Sequence, residues 1–228
     1  MGLTTFIIYF ALLLIIPLWA QSRVKSTYRK YSQVPSSSGL TGAQVARKIL
    51  DDNGLYNVSV EEVKGTLTDH YDPRSKAVRL STNNFHGHSV AGAAVAAHEV
   101  GHAIQDQEEY AFLRFRHALV PVASFGSNAA FFFILGGILL QTQGLILFGI
   151  IAMAAAVLFQ LVTLPVEFNA SNRAMEQIVS AGVIRNDEER ETKKVLNAAA
   201  LTYVAAAVVA LLELVRFVLM YLGMNGDD

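Results

Sequence analysis

Four long apolar runs limit this chain more than any other feature. They are Leu3 to Ala20, Ala118 to Leu140, Gly144 to Leu164 and about Ala198 to Leu222. Each is long enough to cross a bilayer as a helix. Hydrophobic residues make up 53% of the 228 and charged ones only 16%, a balance too apolar for an ordinary soluble domain. The expected fold is therefore a mainly α membrane protein with four transmembrane helices, at 3–20, 118–140, 144–164 and 198–222. The intervening segments 21–117 and 165–197 are left to form a small α+β domain.

The distribution of charge orients these spans. Before the first run, Met-Gly-Leu-Thr-Thr carries no Lys or Arg, whereas Arg23, Lys25, Arg29 and Lys30 follow it. A secretory signal needs the opposite order, so the first run reads as a retained anchor. The second and third runs are joined by only Gln141-Thr-Gln143, which makes them a hairpin. Of 18 Lys and Arg, 17 fall in 21–117 and 165–197, so those segments are expected on the cytoplasmic side of the membrane. The other is Arg216, one helical turn after Glu213. It reads either as an intrahelical pair snorkelling to the outer interface or as a polar contact fixing the bundle. In the second run, Ser127 and Asn128 are expected to bond to neighbouring helices, and Gly136-Gly137 to mark a packing contact.

Two function classes are excluded early. A net charge of −1 without a basic stripe gives no footprint for nucleic acid. The absence of cysteine removes disulfides and thiolate metal sites, so any metal must use His, Asp or Glu.

Between the spans the pattern turns globular. Pro35-Ser-Ser-Ser-Gly39 is a linker, and a helix from Thr41 carries Val45, Ile49 and Leu50 to a stop at Asn53-Gly54. Tyr56 to Val60 and Ala77 to Leu80 read as strands, with a turn at Asp72-Pro73-Arg74-Ser75. A helix then starts near Ser89. Pro165 is expected to open another helix that ends at Gly182, and Asn186 to cap the last one with Glu189 three residues on.

The helix from Ser89 carries His98-Glu99-Val100-Gly101-His102. Residues four apart share a helix face, so both imidazoles can reach one metal, with Glu99 beside it as a base. Chance alone would give this pattern in about one such chain per hundred. The helix is apolar enough to raise the alternative of an intramembrane protease. Three ionisable groups at mid-bilayer, each costing roughly 2.5–3.5 kcal/mol, argue for a domain near the membrane instead. A catalytic zinc needs a third protein ligand, and no His-x-x-Gly-x-x-His continuation supplies one. Candidates are His70, His86, His88, His117, Asp106 and several carboxylates. Glu167 stands out, because the hairpin returns it to the side that holds His98.

The chain resembles the YugP-like neutral zinc metallopeptidases of bacterial membranes. The resemblance lies in Asp69-His-Tyr-Asp-Pro73, Val78-Arg-Leu-Ser81, Ala96-Ala-His-Glu-Val-Gly-His-Ala-Ile-Gln105 and Leu164-Pro-Val-Glu-Phe-Asn-Ala-Ser171. More distantly it is similar to membrane gluzincins of the HtpX and CAAX prenyl protease type. The resemblance implies a zincin-like catalytic domain and one zinc per chain held by His98, His102 and Glu167. It also implies Glu99 as the catalytic base, peptides or membrane proteins as substrate, and substrate addition to the strand at Val78 to Leu80. Such relatives usually carry an Asp four residues after the ligand Glu. Here Ser171 stands there, leaving Ser171, Asn169 or a water to support a ligand histidine. An oxyanion-stabilising donor is expected among His86, His88, Tyr71, Asn84 and Arg173. The rival class is a non-enzymatic membrane scaffold with a structural zinc, which would have no need of Glu99.

Overall fold

The computed structural model describes residues 2–224. Seven helices and three strands follow one another as α1 Leu3–Tyr31, α2 Gly42–Asp52, β1 Ser59–Val63, β2 His70–Asp72, β3 Ala77–Ser81, α3 Thr82–His86, α4 Val90–Gln107, α5 Ala111–Leu139, α6 Gln143–Ser180 and α7 Asn186–Met224. They divide into two compact units. One holds the chain up to Trp19, Ala111–Pro165 and the chain from Tyr203; the other holds Ala20–Tyr110 and Val166–Thr202.

The first unit takes its helical segments from α1, α5, α6 and α7, which are long and apolar enough to cross a membrane. Its outer surface agrees with that. The large apolar side chains exposed on the protein lie here, with Tyr56, Leu67, Phe168 and Val179 as exceptions among the described residues. An apolar surface of this extent needs lipid or protein against it. Glycines set the spacing of the α5–α6 hairpin. A β-carbon on Gly126 would lie 2.6 Å from the carbonyl oxygen of Ala152, and one on Gly137 would lie 2.8 Å from the Ile146 nitrogen. The expected packing contact thus falls on Gly137; Gly136 meets only Leu145 Cδ1, at 4.0 Å.

Several local expectations are corrected. Ser127 and Asn128 do not reach to other helices: each donates to the carbonyl four residues back, Ala123 and Ser124. In an apolar setting that carbonyl is the nearest acceptor. Pro165 opens no helix but sits inside α6, which runs unbroken from Gln143 to Ser180. Proline removes one hydrogen bond and crowds the preceding turn, yet α6 is long enough to continue past that defect. Arg216 is stacked rather than snorkelling, its guanidinium 5.1 Å from the Tyr9 ring centroid and 4.3 Å from that of Phe217.

The second unit is built on a three-stranded sheet ordered β1-β3-β2, with β1 parallel and β2 antiparallel to β3. The sheet opposes substrate addition at Val78–Leu80, because β1 pairs with β3 along its whole length and β2 pairs with its residues Ala77 to Arg79. The side chains of β3 show the same thing: Ala77, Val78, Leu80 and Ser81 are buried. Arg79 instead ties the sheet together, donating to Glu61 of β1 at 2.9 Å and to Asp72 of β2 at 2.8 Å. The core gathers Val45, Ile49 and Leu50 of α2, Val78 and Leu80 of β3, Val100 and Ile104 of α4, and Ala174 and Ile178 of α6.

Thr41 caps α2 with a reciprocal capping box to Gln44, and Gly54 turns the chain out at φ +71°. The cap of α7 sits one residue earlier than expected. The helix begins at Asn186, whose side chain lies outside the described residues, so the cap position falls on Arg185. Its N–H donates to Glu188 Oε2 at 2.9 Å.

Candidate metal centre

Ser89 starts α4 by accepting a hydrogen bond from the Gly92 N–H. The small residues that follow let the helix be enclosed, and 13 of its 18 residues are buried. That enclosure separates α4 from a lipid-facing helix. His98 and His102 lie one turn apart, their rings edge to face with centroids 4.8 Å apart. The second half of α6 passes beside them. A β-carbon on Gly101 would lie 2.6 Å from the Ala170 carbonyl oxygen, so only glycine permits the two backbones to come this close.

This crossing brings Glu167 to the two histidines. Glu167 is only 2% exposed, and its Oε2 lies 3.3 Å from His98 Nε2 and 3.5 Å from His102 Nε2. Ligand-type atoms of the three residues all fall within 4.8 Å of one another. Ligands about 2.0–2.1 Å from a tetrahedral zinc are separated by about 3.3–3.4 Å. The two measured separations therefore fit one ion, and the nitrogen–oxygen donor set is one that zinc accepts.

Each histidine is also held from behind. Ser171 Oγ lies 3.3 Å from His98 Nδ1, and Gln105 Oε1 lies 3.0 Å from His102 Nδ1. With both Nε2 atoms turned to Glu167, the Nδ1–H groups are the donors, which fixes the tautomer. Gln105 is fully buried and donates through Nε2 to the Val166 carbonyl at 2.8 Å and to Asn169 Oδ1 at 2.9 Å. Arg173 Nε donates to the same Asn169 oxygen at 2.7 Å, and its guanidinium meets Glu108 at 2.6 Å. A polar chain thus runs from His102 to the surface. Asn169 supports no histidine directly; it serves Gln105. The importance of Gln105 was hidden in the sequence, where it stands three residues after His102 without any distinguishing pattern.

Glu99 is buried, and desolvation pushes its carboxyl above the usual range. The nearby His98 and His102 pull it down, while Asp69 and Glu167 push it up again. Asp69 is itself fixed by Ser81 N–H at 2.7 Å and by the Asn84 amide at 3.0 Å.

The remaining candidates are engaged elsewhere. His70 Nδ1 meets the Thr68 carbonyl, His88 Nδ1 meets the Gly39 carbonyl, and His86 Nε2 meets Glu62. Asp106 accepts from the Tyr71 hydroxyl at 2.8 Å and from Lys76 at 2.6 Å. Burial and the Asp106 carboxylate push the Tyr71 hydroxyl strongly up, so it stays protonated. Asn84 is held by Asp69 and by the Tyr28 hydroxyl, and Arg173 by Asn169 and Glu108. His117 lies on α5, in the other unit.

Comparison with known proteins follows the same lines. A family model described as "Putative neutral zinc metallopeptidase" matches residues 6–222. A protein of Bacillus subtilis (strain 168), "Putative membrane protease YugP", is 59% identical over 210 residues, covering 92% of each chain. No solved structure matches.

Proposed function

The chain belongs to the neutral zinc metallopeptidase family, and on that premise we propose that it is a multi-pass membrane metalloendopeptidase of the H-E-x-x-H plus Glu type. One zinc is held by His98, His102 and Glu167. The observation that carries this reading is the convergence of those three side chains on one point, beside a buried Glu99. A purely structural site would have no use for Glu99, and a lipid-facing motif helix would not be enclosed as α4 is.

Zinc supplies a Lewis acid that activates water near neutral pH and polarises a peptide carbonyl. The residues do the rest. Glu99 accepts the proton of the attacking water and delivers it to the leaving amine. Ser171 and Gln105 hold the two imidazoles in the tautomer that offers Nε2.

The charge asymmetry of the sequence supports a catalytic face on the cytoplasmic side of the bacterial plasma membrane, where segments 21–117 and 165–197 belong. Substrates are then peptides or membrane proteins presented near that surface. With β1 along one side of β3 and β2 over Ala77 to Arg79 on the other, the outer edges of β1 and β2 are the longer edges open to an extended substrate.

The test is Glu99→Gln in the purified full chain. It should keep about one zinc per chain and lose peptide hydrolysis by at least about a hundredfold. Full hydrolysis in that variant would refute the mechanism.

A further inference from the structure

Away from the metal centre, residues 23–31 of α1 and 194–201 of α7 form a pocket of about 510 Å³ within the second unit. Arg23, Ser26, Thr27, Lys30 and Tyr31 line one wall. Their spacing puts Arg23, Thr27 and Lys30 on one helix face. Lys194, Asn197, Ala198 and Leu201 line the other wall at the same periodicity. Arg23, Lys30 and Lys194 stand exposed around a floor of buried Tyr31 and Ala198 with half-buried Thr27 and Leu201.

Three cations converge here, and no acidic side chain lies among the pocket residues. Several other basic residues of this unit are paired within it: Arg47 with Asp51, Lys76 with Asp106, Arg79 with Glu61 and Asp72, and Arg173 with Glu108. No carboxylate neutralises these three charges within the pocket, so an anion placed among them gains Coulombic stabilisation. The surrounding hydroxyl and amide groups of Ser26, Thr27 and Asn197 add hydrogen-bonding capacity suited to an oxygen-rich anion.

Sequence position fixes the depth. Arg23 comes three residues after the apolar run that ends at Ala20, and Lys194 four residues before the run that begins at Ala198. The pocket therefore stands at the basic ends of two membrane spans, at the level of lipid headgroups. Basic pockets between spans at that level suit anionic phospholipids.

We infer that Arg23, Lys30 and Lys194 form a binding site for a phosphate ester, the headgroup of an anionic phospholipid. The site would tie the start of the catalytic unit to negatively charged membrane. This rests on the four spans and is independent of the protease reading.

The test uses the full chain in neutral detergent, titrated with phosphatidylglycerol, with phosphatidylcholine and with inorganic phosphate. Bound lipid is read by native mass spectrometry. Phosphatidylglycerol should bind at least about tenfold more tightly than phosphatidylcholine, and Arg23→Gln or Lys194→Gln should each weaken it by about fivefold. A charge-matched variant, Lys25→Gln, removes one exposed cation that does not line the pocket and should leave the preference nearly intact. Far-ultraviolet dichroism checks that each variant keeps its helices. Equal binding of the two lipids would overturn the inference, as would equal loss in the charge-matched variant. Displacement of the lipid by equimolar inorganic phosphate would assign the pocket to a soluble phosphate and overturn the lipid assignment.

Discussion

Gly101 and Ala170 mark the point where α4 and α6 cross backbone to backbone. A β-carbon on Gly101 would sit 2.6 Å from the Ala170 carbonyl oxygen, and a backbone oxygen cannot swing aside. Gly101 precedes His102 by one residue, and Ala170 follows Glu167 by three. The crossing therefore sets the distance between the histidines and the carboxylate. Gly101→Ala should force the helices apart, costing about 1–3 kcal/mol and weakening zinc binding. Thermal unfolding and chelator competition on the same preparation would show both effects. Unchanged zinc affinity would mean that the close approach does not control the site.

Gln105 ties the same two helices by hydrogen bonds while holding His102. Gln105→Leu keeps approximate volume but strands the His102 Nδ1–H and removes the tie to the Val166 carbonyl. Each unsatisfied buried group costs about 1–3 kcal/mol, and loss of a ligand's supporting partner typically costs 10–100-fold in metal affinity. Gln105→Glu retains an acceptor for His102 but not the amide donor to Val166. It should therefore retain more zinc affinity than the leucine variant. Equal affinity in all three proteins would leave Gln105 with no role in holding the metal.

Ser171 offers His98 a hydroxyl where a carboxylate could stand. Ser171→Ala removes the acceptor and should lower zinc affinity by about tenfold. Ser171→Asp provides a charged acceptor and should restore or exceed the native value, because charge-assisted hydrogen bonds are the stronger kind. Matched zinc titrations of the two variants give the comparison, and a drop in both would point to crowding rather than hydrogen bonding.

Glu188 links the start of α7 to the linker after α1. Its carboxylate accepts from the Ser37 N–H at 2.8 Å, from the Ser37 hydroxyl and from the Arg185 N–H. Burial pushes its proton affinity up, but these hydrogen bonds and the Arg185 charge outweigh that and hold it below the ordinary value. A carboxyl depressed in the folded state stabilises fully above its unfolded value of about 4.3. That contribution is lost as pH falls through the folded value. Glu188→Gln should therefore be less stable by about 1–2 kcal/mol at pH 7, with the gap closing below about pH 4. A gap that stayed constant with pH would show that the charge contributes nothing.

The apolar runs and the shared face of His98 and His102 were legible in the sequence, for definite reasons. Uninterrupted apolar runs leave a helix few alternatives in a membrane, and the spacing of His98 and His102 needs only one helical turn. Thr41 and Gly54 bounded α2 through local chemistry alone. What stayed hidden depended on tertiary contact. β2 is three residues long and ends against Pro73, so His70–Asp72 reads as part of a turn until β3 pairs with it. The central position of β3 depends on β2, and the mistaken expectation of an open edge followed from missing it. Pro165 reads as a helix start because proline breaks most helices, but the length of α6 on both sides overrides one residue. Gln105 became visible only when α6 brought Val166 and Asn169 to it.

X-ray absorption at the zinc edge of the full chain reads the coordination sphere itself, comparing the native protein with Glu167→Ala. The native shell should hold two imidazole nitrogens and two oxygens at about 2.0–2.2 Å without sulfur, one oxygen from Glu167 and one from water. In Glu167→Ala the zinc should bind more weakly and its remaining shell should have lost the carboxylate. An unchanged shell and full occupancy in that variant, or four protein ligands in the native chain, would contradict the proposed catalytic centre.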